Sequence, residues 1–212
     1  MCSKGSPKSF LAANALWAKE KKQQNPEYFK HLQEQKKPDF MWIGCSDARV
    51  PANEMIGVEA GHVFIHRNVA NQVQHIDLNA LAAIQYAVDV LQVKHIIVTG
   101  HYDCGGVRAA MESQHFGMVD NWIRSVRDLW MQHHKTIGET SKQGRFDRLC
   151  ELNVMRQVEN LSHTRIVQNA WSRQQPLTLH GWIYHVEDGL LRDLEVSRVS
   201  VDDVDGIYRT HQ

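Results

Sequence analysis

A chain of 212 residues with 42% apolar side chains has enough material for one sizeable core, which excludes intrinsic disorder. Twenty-four Lys and Arg against twenty-four Asp and Glu leave no overall field, so neither nucleic acid nor a membrane surface is an expected partner. No apolar run approaches a bilayer span, and Lys19, Glu20, Lys21 and Lys22 stand where an export cleavage site would lie, so a soluble cytoplasmic protein is expected.

No repeat or Pro/Gly-rich linker divides the chain; residues 1–35 read as a helical N-terminal arm and 36–212 as a single domain. In the arm, Phe10, Leu11, Ala15, Trp17 and Ala18 fall at helical spacings, a face suited to the parent domain or to another subunit. Phe40 to Ile43, Val63 to Ile65 and Ile96 to Thr99 are short apolar runs bounded like buried strands, the last closed by Gly100. Between the second and third, Leu81, Ile84, Val88 and Leu91 recur at helical spacing among good helix formers. Strand, helix and strand without a hairpin signal predict a parallel pair joined by a crossover, hence an α/β fold. Helical patterns follow at 121–133, 146–161 and 164–173, then a strand at 177–186, a turn at Glu187-Asp188-Gly189 and an edge strand.

Four cysteines, at positions 2, 45, 104 and 150, are too few and too scattered for a disulfide scaffold, and a reducing compartment leaves them as thiols able to bind metal. Cys45-Ser46-Asp47-Ala48-Arg49 follows the first strand, and His101-Tyr102-Asp103-Cys104-Gly105-Gly106 follows the third. Loops at the carboxyl ends of parallel strands build sites in open α/β sheets. His101 and Cys104, three apart, can wrap one cation and Cys45 supplies a distant third ligand, a Cys2His pattern typical of zinc with an open position. Taken singly, each residue has a commoner role as a small buried thiol or a hydrogen-bonded loop imidazole. The same residue types also compose a thiol triad with Cys45 or Cys104 as nucleophile, His101 as base and Asp47 as its orienter, or a purely structural zinc site.

The two motifs resemble the signature of the β-class carbonic anhydrases. His66-Arg67-Asn68-Val69-Ala70-Asn71, Asn121-Trp122 and His180-Gly181-Trp182-Ile183-Tyr184 are similar to further family segments in the same order, so that the resemblance spans residues 10–190. It implies a mostly parallel sheet with an antiparallel edge strand, flanked by helices, in a homodimer that often pairs into a tetramer. It implies Zn²⁺ on Cys45, His101 and Cys104, a dyad of Asp47 and Arg49, and CO₂ and bicarbonate as substrate and product. Zinc lowers the pKa of a bound water so that hydroxide is available to attack CO₂. Two thiolates cancel the cation's charge, so hydration is expected to rise toward alkaline pH. Gly105 and Gly106 permit close backbone approach and open the next helix, whose amides suit an anionic product.

One subgroup of that family, type II, lets the aspartate replace water on zinc while bicarbonate occupies a separate pocket. The residues here that resemble that pocket are Trp42, Gly44, Val50, Arg67 and Tyr184, and Asp47 would be the conditional fourth ligand. Ala48 stands where serine is common and Asp103 where a neutral residue is frequent. Cys150 reads as core, Cys2 as part of a mobile terminus, and His133 and His134 as solvated.

Overall fold

The computed structural model describes residues 6–34, 37–138 and 141–210; Cys2 lies outside them. The chain divides into two units, Met1–Lys36 and Lys37–Gln212. In the first, α1 (Pro7–Gln24) begins with proline, whose missing N–H costs nothing in a first turn, and is followed by α2 (Tyr28–Glu34). Trp17 meets Phe29 edge to face at 5.7 Å, but neither helix buries a residue.

In the second unit one five-stranded sheet runs β1 (Phe40–Cys45), β2 (Val63–Asn68), β3 (His95–His101), β4 (Thr178–His185) and β5 (Leu190–Asp193), in spatial order β2-β1-β3-β4-β5. All pairings are parallel except that of β5, the antiparallel edge. The expected parallel relation of β2 and β3 holds, but they are not neighbours, because β1 lies between them and pairs with both. Five of the six β1 residues are buried, which suits an inner position with both faces covered. The chain therefore leaves β1 on one side and returns on the other, and the carboxyl ends of β1 and β3 lie side by side at a switch point of the sheet.

Helices α3 (Ala52–Met55), α4 (Leu78–Gln85), α5 (Gly105–Met111), α6 (Met118–Trp122), α7 (Arg124–His133), α8 (Lys142–Ser162) and α9 (Arg165–Ser172) complete the unit. The expected helix ending at Leu91 is α-helical only to Gln85 and then widens into a π-wound turn over Tyr86–Leu91, stopped by Gln92 at φ 58. Ile84, Ala87 and Val88 nonetheless all face the core. Ser141 and Thr164 cap α8 and α9 by accepting the amides of Gly144 and Val167, which starts α9 beside its expected position and α8 four residues before the expected 146.

Gly100 does not close β3, as the sequence suggested; the strand runs on through it to His101. A side chain there would put a Cβ 2.5 Å from Val154 Cγ2, so its absence lets α8 lie close against the sheet. Cys45 likewise is the last residue of β1 rather than the first beyond it.

Candidate metal centre

Cys45 ends β1, His101 ends β3 and Cys104 stands immediately before α5. Adjacent parallel strands bring them together across 59 positions of sequence, with the two sulfurs 3.9 Å apart. One donor atom from each of the three residues lies within 4.8 Å of the other two, and all three residues are buried. The sulfur spacing approximates the edge, about 3.8 Å, of a tetrahedron with metal–sulfur bonds of about 2.3 Å.

The imidazole is set for the same purpose. His101 Nδ1 lies 2.9 Å from the Tyr102 carbonyl oxygen, an acceptor only, so this nitrogen carries the hydrogen and Nε2 is left with its lone pair. Nε2 is buried without a hydrogen-bond partner among the described residues. An orphaned acceptor beside two buried thiols is costly in a protein interior and is the condition a soft divalent cation relieves. This arrangement disfavours the thiol triad, in which Asp47 would hold the ring nitrogen facing away from sulfur. The backbone holds that nitrogen instead, and Asp47 Oδ2 lies 3.9 Å from Nε2.

The thiols are split by their proximity. Cys45 is pushed down to about 4, chiefly by the hydrogen bond from Cys104 against the cost of burial, with help from His101 and the backbone amides of Asp47 and Ala70. Cys104 is raised by its neighbour Cys45 and by burial. One negative charge thus forms first, and a second needs a cation between the sulfurs.

Asp47-Ala48-Arg49-Val50 is a tight turn in which Val50 N–H donates to the Asp47 carbonyl and Arg49 N–H to Asp47 Oδ1. The turn lays the Arg49 guanidinium along the carboxylate, Nε donating to Oδ1 at 3.0 Å and Nη2 to Oδ2 at 2.7 Å. This two-pronged bond is the first cause of an Asp47 pKa lowered to about 2. Arg49 also donates from Nη1 to Asp103 Oδ2 at 3.0 Å and from Nη2 to the Asp103 carbonyl. Asp103 sits in the left-handed region at φ 57, and its other carboxylate oxygen accepts from Arg108.

Gly105 opens α5 into free space, whereas a Cβ on Gly106 would lie 2.7 Å from Val69 Cγ1, so Gly106 serves the close approach of α5 to the 69–71 turn. Arg67, Gly44, Thr99 and Trp182 stand in one register row across β2, β1, β3 and β4. Arg67 donates to the carbonyls of Cys45 and Asp47, and the Trp42 indole occupies the space beside Gly44. Val50 is buried, and Tyr184 pairs with His101 two steps beyond the row. Thr99 Oγ1 and Trp182 Nε1 in that row are buried without partners among the described residues.

Sequence reasoning missed the support for Cys45. Ala70 and Asn71 adopt φ 62 and 47, a left-handed pair beside the site, although neither is glycine. Side chains from α8 hold them: Asn153 Nδ2 donates to the Ala70 carbonyl, and Asn153 Oδ1 accepts from Gln72 and Gln157. Polar residues on the buried face of a long helix were the available signal.

A five-stranded α/β sheet with a buried Cys2His cluster at the ends of two adjacent inner strands defines a fold whose donors could hold a metal ion. A family model for carbonic anhydrase matches residues 40–191. The carbonic anhydrase of Emericella nidulans is 42% identical over 198 residues, covering 92% of this chain and 87% of that protein. Among solved structures, a Coccomyxa β-carbonic anhydrase in complex with acetazolamide superposes with a TM-score of 0.88 at 35% identity, over 94% of this chain and 91% of that one. A tetrameric β-carbonic anhydrase from Sordaria macrospora gives 0.86 at 33% identity, over 90% and 98%. The chain belongs to the β-class carbonic anhydrase family.

Proposed function

We propose that the protein is a zinc-dependent carbonic anhydrase that interconverts CO₂ and water with bicarbonate and a proton, with Cys45, His101 and Cys104 holding the metal. The observation that carries the reading is the orphaned His101 Nε2, buried within reach of both sulfurs. When bound, Zn²⁺ supplies the Lewis acidity that makes hydroxide available near neutral pH. Asp47, a carboxylate at any working pH, accepts a hydrogen bond from the reacting water and orients it. Arg49 keeps that carboxylate in place. A C–O bond then forms to the carbon of CO₂, and the released proton leaves to solvent or buffer. Gly105, with no side chain over the open start of α5, leaves room for bicarbonate, and Gly106 seats that helix.

The test is stopped-flow CO₂ hydration across pH on protein of measured zinc content. Rates rising toward alkaline pH, with about one zinc per chain, are expected. A flat profile with intact metal, or hydrolysis of COS or CS₂ without CO₂ hydration, overturns the reading.

The type II form of this reading has bicarbonate binding at Trp42, Gly44, Val50, Arg67 and Tyr184, while Asp47 leaves Arg49 and takes the fourth position on the metal. Its support is the pair of unpartnered donors, Thr99 and Trp182, in the row with Gly44 and Arg67. Bicarbonate inhibition at fixed pH that is lost in both Arg67→Ala and Thr99→Val supports it, and an unchanged response in both removes it. A dimer, or a tetramer like the Sordaria relative, is the proposed assembly. A reducing cytoplasmic setting fits the free thiols of Cys45, Cys104 and Cys150, and no described helix is long and apolar enough to cross a membrane.

A further inference from the structure

Away from the metal centre, α5, α7 and the start of α8 enclose a cleft of about 570 Å³, within the range of small-molecule sites. Its walls are of two kinds. Trp130 and Met111 provide apolar surface, the Phe146 ring lies under the Arg108 guanidinium, and Arg108, Lys142 and Arg145 provide three cations against one carboxylate, Glu112. Among the described residues Arg145 Nε is buried with no hydrogen-bond partner, and neither Arg145 nor Lys142 forms an ion pair. An arginine without an acceptor among the described residues suits a planar oxyanion in the cleft it lines, because the guanidinium fork matches a carboxylate.

Arg108 connects the cleft to the catalytic loop. Its guanidinium lies 4.2 Å from the centre of the Phe146 ring and donates to Asp103 Oδ1. Asp103 in turn accepts from Arg49, which grips Asp47. Charges therefore alternate from the cleft to Asp47 through Arg108, Asp103 and Arg49.

We propose that this cleft binds a small aromatic carboxylate, with its ring against Trp130 and its oxygens on Arg145 and Arg108, and that occupancy is transmitted through Asp103 to Arg49. A carboxylate on Arg108 takes part of that cation from Asp103. Asp103 then draws harder on Arg49 and loosens its hold on Asp47, so hydration slows.

Benzoate is the probe, titrated calorimetrically into the zinc-loaded full chain, with benzamide as its uncharged analogue. One benzoate per chain is expected, with affinity at least about tenfold weaker in Arg145→Gln and in Lys142→Gln, and weaker still for benzamide. Lys142 lies in the first turn of α8 and forms no ion pair among the described residues, so its variant tests the charge requirement even if Arg145→Gln folds poorly. No binding to wild type, equal binding of benzamide, or unchanged affinity in both variants overturns the site. The transmission rests on the proposed carbonic anhydrase activity and is read separately. Benzoate should slow CO₂ hydration by wild type and lose that effect in Asp103→Asn, which still binds benzoate. Slowing that persists in Arg145→Gln assigns the effect to the metal centre, and binding that leaves the rate unchanged overturns the link to Arg49.

Discussion

Cys45 and Cys150 are the same residue type, 5% and 2% exposed, yet their thiols are driven in opposite directions. Cys150 lies within α8, and burial first, with the charges of Asp147 and Glu151 adding to it, raises its pKa well above the usual range, leaving a protonated, unreactive thiol. Cys45 is almost as deeply placed, but the Cys104 thiol and the backbone amides of Asp47 and Ala70 converge on its sulfur and bring it down to about 4. Burial by itself makes a cysteine a small hydrophobe; burial with converging donors makes it a ligand.

The widest gap between the two regions should appear on removing each sulfur. Cys45→Ser is expected to lose most of its zinc by atomic absorption and to lower CO₂ hydration by more than about a hundredfold, since residues that merely orient ligands already cost about 10–100-fold. Cys150→Ala should keep both, and equal metal loss in the two variants would erase the contrast. An intermediate effect is expected where the core meets the site. Gly100→Ala forces a methyl against Val154 and should cost about 1–3 kcal/mol, read as a fall in thermal midpoint of several degrees. An unchanged midpoint would mean that α8 is not closely seated there. The smallest effect belongs to the stability of Cys150→Ala, at about 1 kcal/mol for one deleted buried heavy atom. A much larger loss in denaturant titration would show that this thiol does more than fill space.

Element types were legible wherever a segment repeated its pattern. β1, β4, α8 and α9 lie over the segments that apolar runs and apolar spacing marked, with β1 running two residues further and α8 starting four residues earlier than expected. Gly100 misled because a glycine needed for close packing and one needed for a turn look alike in one dimension. The π-wound turn after Gln85 was invisible for a related reason, since one extra residue per turn still leaves Ala87 and Val88 on the buried side. The N-terminal helices showed their apolar residues in sequence, yet nothing within their own unit buries them.

The amino-acid sequence by itself determined the α/β class, the presence of strands just before Cys45 and His101, and a donor chemistry of two sulfurs and an imidazole. These follow from residue identity and short-range periodicity, which every segment carries locally. Only the tertiary structure decided that β1 lies between β2 and β3, that the Tyr102 carbonyl frees His101 Nε2 toward the sulfurs, and that Asn153 holds Ala70 against Cys45. The chain from Arg108 through Asp103 and Arg49 to Asp47 is of the same kind. Such relations depend on strand order and register between segments far apart in the chain, where a shift of one residue reverses the face a side chain presents.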